Sequence, residues 1–212
     1  DFEKVNDNIF YKLVNYDKNL DMLKEVPHIP YLDLAIVFYV LVERNEKGQS
    51  TSVITHACRK QWRKGIETLY KRAKENTPRL FPASLCRMGK VMEDLIKESN
   101  GNRYLDISLE DFMESEPSNP LFVLSNTCGV YGATTMLYQD MLKNFSEMME
   151  SDLVILPSSV HEMLLLPYPI VQDMNEVKKT IAHINRTEVP VMDVLSDNVY
   201  LYDRKKYTIS IL

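Results

Sequence analysis

The sequence predicts an α+β protein with a mainly antiparallel sheet and helices packed on one face. Short apolar runs rich in β-branched and aromatic residues recur between turn residues: DLAIVFYVLVE from Asp33, PLFVLSN from Pro120, LVILP from Leu153 and NVYLYD from Asn198. Segments of helical periodicity fall among them, but without the regular strand and helix alternation that a parallel sheet requires. The 212 residues are 45% hydrophobic and 26% charged, with only 6 glycines and 10 prolines, which suits a buried core with little linker.

Over the first 24 residues, Phe2, Val5, Ile9, Leu13, Leu20 and Leu23 recur at helical spacing around a polar interruption at Asn15 to Asn19. The pattern predicts one broken helix or two short ones, ended before Pro27 and Pro30. Asp33 to Glu43 then leads through NEKGQ into STSVITHA, a β-hairpin with its turn at Asn45 to Gly48. From Gly65 to Asn76, Ile66, Leu69, Tyr70 and Ala73 form one stripe that stops at Thr77-Pro78. A further helix is expected from Ser84, on Leu85, Met88, Val91, Met92, Leu95 and Ile96. ISLEDFMES places Ser108 and Asp111 in capping positions for a short helix or turn ending near Pro117. Residues 117–120 are polar and hold two prolines, the best boundary between a helical and hairpin part, 1–116, and an α+β part, 121–212. A single domain is the alternative.

In the second half, PLFVLSN is a strand, Gly129 and Gly132 make a turn, and Ala133 to Glu150 is an amphipathic helix with Met136, Leu137, Met141, Leu142, Phe145, Met148 and Met149. LVILP and MLLLP are strands. Between them Ser159 and Glu162 have capping-box spacing, which predicts a strand ending at Pro157, one capped helical turn carrying His161, and a return through Leu164 to Leu166. Asp173 with Glu176 caps a helix bearing Val177, Ile181 and Ile184, and NVYLYD with YTISIL closes a hairpin around Arg204 to Lys206.

The net charge of −5 argues against broad electrostatic binding of nucleic acid, and its distribution is uneven. From His56 to Lys74, Arg59, Lys60, Arg63, Lys64, Lys71, Arg72 and Lys74 face a single acid, Glu67. From Glu93 to Pro117, eight acids face Lys97 and Arg103. Two solvated helical faces account for this, and the sharper reading is a docking surface for an acidic partner, or the two segments attracting one another. Trp62 and Tyr70 among the cations are too few for single-stranded nucleic-acid stacking.

Three cysteines with no CxxC spacing, Cys58, Cys86 and Cys128, fit reduced thiols in a cytoplasm and supply no metal site. Leu34 to Val42, the longest apolar run, is nine residues against the roughly 20 that span a bilayer. No signal peptide is visible, and a start at Asp1 leads us to expect an upstream segment.

DFEKVNDNIFYKLVNYDKNLDMLKEVPHIPYLDLAIVFYVL, KENTPRLFP, YGATTMLY, SDLVILPSSVHEMLLLP and LSDNVYLYDR together resemble an uncharacterised bacterial family, a domain of unknown function common in gut Firmicutes. The resemblance spans nearly the whole chain. It implies a bacterial cytoplasmic setting and brings no activity, cofactor or catalytic residue.

Several constellations are candidate sites on their chemistry. His161-Glu162 begins like the zinc-protease HExxH, but Leu165 replaces the second histidine and removes the ligand pair. Ser158, Ser159, His161 and Glu162 are the residue types of a hydrolase triad, but they share one short backbone segment, whereas triads assemble from separate elements. Cys128 follows a strand and precedes the expected helix, whose dipole would favour the thiolate, with His161 or His183 as base. Gly129 and Gly132 would let backbone amides approach an anion there, without a Walker lysine. Arg59, Lys60, Trp62, Arg63 and Lys64 are the candidates for partner binding. The sequence thus favours a non-enzymatic binding or interaction module with a protein partner, no cofactor, no metal and no membrane segment. The alternative is a hydrolase or transferase using Cys128 or the Ser158 to Glu162 turn.

Overall fold

The computed structural model describes residues 1–45, 48–88, 121–171, 173–187 and 189–212. It divides into two compact units, Asp1–Pro82 and Ala83–Leu212. The expected boundary at 117–120, the ISLEDFMES element and the acidic stretch from Glu93 lie outside the described residues, as do Glu46 and Lys47 of the hairpin turn. Every strand pairing described is antiparallel, and helices accompany both sheets, so the α+β class holds.

The first unit is built on β1 (Ile9–Asn15), β2 (His28–Tyr31), β3 (Leu34–Asn45) and β4 (Gly48–Val53). The long β3 pairs with β1, β2 and β4, and Asn45 opposite Gly48 closes the predicted hairpin. The N-terminal segment departs from its helical prediction. Two 3-10 turns, Phe2–Lys4 and Asn6–Asn8, lead into β1, and only α1 (Leu20–Glu25) is an α-helix. Ile9 to Leu13 are all buried, so both alternating faces of the strand are covered. A strand apolar on both faces carries no period of two, and Ile9 with Leu13 then mimics helical spacing.

α2 (His56–Trp62), within the stretch read as a solvated helical face, is capped by Thr55 and followed by α3 (Ile66–Leu80). α3 runs through Thr77-Pro78, where the sequence reading stopped it. An interior proline costs about 3 kcal/mol. Here Pro78 falls in the last turn, and that turn is fastened to the sheet. Asn76 Nδ2 donates to Asn6 O at 2.8 Å and Ile9 O at 2.9 Å, and Thr77 Oγ1 accepts from the Tyr11 amide at 3.2 Å. On the alternate face Ala35 and Val37 pack with Leu23 and Val26 from the end of α1.

In the second unit the order is β10-β9-β7-β8-β6-β5, formed by β5 (Ala83–Arg87), β6 (Phe122–Asn126), β7 (Leu153–Ser159), β8 (Glu162–Pro167), β9 (Tyr200–Asp203) and β10 (Thr208–Ile211). β5 corrects the helix expected from Ser84: Ala83 to Arg87 pair in register with Asn126 to Phe122. The rest of that stripe, from Val91, lies outside the described residues.

The single helix expected over Ala133 to Glu150 is instead a 3-10 helix, Gly132–Leu137, and α4 (Met141–Met148). The Thr134 and Thr135 hydroxyls donate to the Tyr131 and Gly132 carbonyls three residues back, which favours the tighter winding. Extended Tyr138 and left-handed Asp140 then break the path before α4. α5 (Met174–Thr187) follows its prediction, with the Asn175 and Glu176 amides donating to Asp173 Oδ1. It packs Ile181 and Val177 against Val154 and Leu156, while Phe145 of α4 meets Phe122 edge-on at 5.0 Å. Leu165 pairs across strands with Phe122 on one side and Ile155 on the other, on that second face, so helices cover both faces of this sheet rather than one.

Candidate functional site

The catalytic and anion-site candidates lie in the second unit, around the turn of the β7–β8 hairpin and the loop after β6. Ser159 pairs with Glu162, leaving Val160 and His161 as a two-residue turn in place of the predicted helical turn. The capping box does not form: Ser159 Oγ accepts from the His161 amide at 3.1 Å, two residues on, not from Glu162. β7 therefore continues to Ser159, and the side chain of Ser158 lies outside the described residues.

The hairpin tip is clasped by two other segments. On the side of the loop after β6, Ala133 donates to Val160 O at 3.3 Å and Ser125 Oγ to His161 O at 2.8 Å. From the stretch after α5, Asp193 O accepts from the Val160 amide at 2.8 Å and Val194 bridges to Ser159. The His161 ring repeats this clasp. Its Nδ1 accepts the Tyr131 amide at 3.2 Å, its face stacks on the Tyr131 ring at 6.0 Å, and its Nε2 stands 3.6 Å from Asp193 Oδ1. Because Nδ1 must accept from an amide, the neutral ring carries its proton on Nε2, facing the carboxylate. A general base needs a free ring nitrogen directed at substrate, and both nitrogens here are directed at the fold.

Beside the histidine, burial raises the Glu162 carboxyl above its ordinary value, and the neighbouring His161 partly offsets this. Cys128 is exposed on the loop, and its amide donates to Asn126 Oδ1 at 2.9 Å. The α-helix whose dipole would have favoured a thiolate there begins only at Met141, and a short 3-10 helix stands in its place. The nearby Tyr138 hydroxyl is raised mainly by burial; the Thr134 side chain opposes the shift and Cys128 adds to it.

The anion reading of the same loop meets a similar difficulty. The amides of Cys128, Gly129, Tyr131 and Ala133 donate to Asn126 Oδ1, Asn126 O, His161 Nδ1 and Val160 O. An anion cradle needs such amides free. Gly129 supplies a positive φ of 67°. Gly132 permits close approach, since a Cβ there would overlap Ser125 Oγ and the His161 carbonyl.

The partner-binding candidates lie in the first unit. α2 ends at Arg63, which is left-handed with φ 54°, and Lys64 returns its amide to Arg59 O at 3.2 Å. Lys60, Arg63, Lys71, Arg72 and Lys74 are exposed, whereas Arg59, Trp62 and Lys64 are half-buried. Trp62 meets Phe2 edge-on at 5.8 Å, and Lys64 Nζ sits 4.8 Å from the Phe2 ring centroid.

Sequence reasoning missed the roles of Tyr131 and Asp193, which lie about 30 residues to either side of His161 and share no local pattern with it. It also missed an open cleft of about 610 Å³ lined by Glu147, Glu150, Asp152, Tyr168, Arg204 and Tyr207 among others. Among the described residues no group of three or more His, Cys, Asp or Glu side chains is placed to hold a metal ion, and no helix is long and apolar enough to cross a membrane.

Compared with known proteins, residues 1–204 match the model of DUF5688, described as a family of unknown function. The chain belongs to this family. No curated protein and no solved structure matches it. For DUF5688 the assignment of roles therefore starts from the geometry of its own side chains.

Proposed function

We propose that this DUF5688 chain is a non-enzymatic interaction module that docks an acidic polypeptide partner on the basic surface of α2 and α3, in a bacterial cytoplasm. The exposed cations Lys60, Arg63, Lys71 and Lys74, with Glu67 the one acid between His56 and Lys74, carry the reading, while exposed Arg72 is paired with Glu75 at 3.4 Å. In a chain of net charge −5 this surface opposes the overall field, which favours steering of a local acidic segment over general attraction of polyanions. Trp62 is half-buried and meets Phe2 edge-on, and Lys64 sits over that same Phe2 ring, so the one tryptophan among these cations is packed within the unit rather than presented as an open stacking platform. That favours a polypeptide over single-stranded nucleic acid. Three cysteines without CxxC spacing suit a reducing compartment.

The enzymatic alternative is less well supported, because each His161 nitrogen faces a group of the fold itself. The test is binding of a fluorescein-labelled, glutamate-rich peptide to the chain and to a Lys60→Glu/Arg63→Glu/Lys71→Glu variant of matched thermal stability. The reading expects affinity that falls with salt and drops at least tenfold in the variant; equal affinities would overturn it.

A further inference from the structure

We infer that β10 is a self-association edge, through which two copies of the chain join their second-unit sheets by antiparallel pairing centred on Ser210. Among the described residues β10 ends the six-stranded sheet and pairs only with β9. The Leu212 amide donates to Val199 O at 2.9 Å, which continues the β9–β10 register. Antiparallel pairs alternate between hydrogen-bonded and non-hydrogen-bonded, so Leu212, Ser210 and Thr208 turn their backbone groups towards β9. Ile209 and Ile211 therefore turn theirs outward.

Outward groups at positions 209 and 211 are self-complementary. With Ser210 opposite Ser210 of a second copy, Ile209 of each chain faces Ile211 of the other, and both pairs exchange amide and carbonyl. That closes a two-fold contact with two reciprocal pairs and no leftover group between them. Side chains agree with this register. The non-hydrogen-bonded position at the axis, where Cα atoms approach to roughly 4.5 Å, is held by small Ser210, and the flanking cross-strand pairs are isoleucine on isoleucine.

Natural edge strands are normally blunted by a charge, a proline or a bulge. β1 carries Lys12, β2 carries Pro30, β5 carries Arg87, and β4 is polar and begins at Gly48. Residues 207–212, YTISIL, have none of these protections, and Tyr207, Ile211 and Leu212 are 57%, 42% and 37% exposed. The strand itself carries no charged side chain, and Lys178 Nζ, which donates to Leu212 O at 2.9 Å, stands at its end and away from the Ser210 axis. A foreign strand would gain nothing from the two-fold match at Ser210, so we commit to a second copy.

The experiment combines mass in solution with a register-specific cross-link. Light scattering across a concentration series should give twice the 24.7 kDa of one chain, and Ile211→Lys should return it to one. In a Cys128→Ser background, Ser210→Cys should oxidise to a covalent dimer, because paired Cα atoms at the axis fall within disulfide reach, while Thr208→Cys should not. Both positions are exposed, so neither variant compromises folding. A wild-type chain that stays at 24.7 kDa, as pairing with a foreign strand would leave it, overturns the inference, as does cross-linking of Thr208→Cys as readily as Ser210→Cys.

Discussion

The amide of Tyr131 donates to His161 Nδ1 at 3.2 Å while Asp193 Oδ1 stands 3.6 Å from Nε2, so one imidazole ties the loop after β6 to the segment after α5. Removing the ring leaves a partly buried amide without its acceptor and an acid without its neighbour, a loss of about 1–3 kcal/mol. His161→Ala should lower the urea midpoint with an unchanged m-value, and amide hydrogen exchange at Tyr131 should accelerate. Stability equal to the wild type would mean the ring is not a structural clasp.

Gly132 gives a second test of the same junction. A Cβ there overlaps Ser125 Oγ and the His161 carbonyl, and a backbone group cannot swing aside as the tip of a flexible side chain can. Gly132→Ala should therefore cost about 1–3 kcal/mol, as overpacking does. A melting temperature within experimental error of the wild type would contradict the close approach.

Lys12 makes stability depend on pH. It is 7% exposed, Nζ lies 3.9 Å from the Tyr39 ring centroid and 3.2 Å from Thr51 Oγ1, and burial lowers its pKa from 10.5 to about 8. Between those values the unfolded chain binds more protons than the native one, so stability from this residue rises with pH across the window. The gain over the whole window is about 3 kcal/mol. Lys12→Met should be more stable than wild type at pH 7 and should lose the upward slope between pH 8 and 10.5. Denaturant midpoints measured in steps of pH check this, and parallel profiles for the two proteins would contradict it.

Which parts of the fold were legible follows from how each element buries its residues. α5 announces itself because Asp173 caps it and only one face, through Ile181, meets the sheet. The β3–β4 and β9–β10 hairpins are legible from turn residues between β-prone runs. β1 is not, because covering both faces from Ile9 to Leu13 erases the alternation that marks a strand. The helix expected after Gly132 fails for a local reason, threonine hydroxyls that bond three residues back.

At the candidate site, residue types were visible and relationships were not. His161 stood out by its neighbours in sequence, yet the groups that define its role, Tyr131 and Asp193, come from two other segments. The run of basic residues in α2 and α3 was readable because charge is a property of sequence, although the exposure of Lys60 and Arg63 is a property of the fold.

The central claim is that this surface, and not the histidine turn, is where the chain meets its partner. Fluorescence anisotropy of a glutamate-rich peptide, titrated with chain at roughly 0.05 M and 0.2 M salt, tests it most directly, because screening over that range shortens the reach of exposed charges. The account predicts binding at low salt that weakens at high salt, is lost in Lys60→Glu/Arg63→Glu/Lys71→Glu and is unchanged in His161→Ala. Binding that survives the charge reversals, or disappears in His161→Ala while the fold is intact, would contradict it.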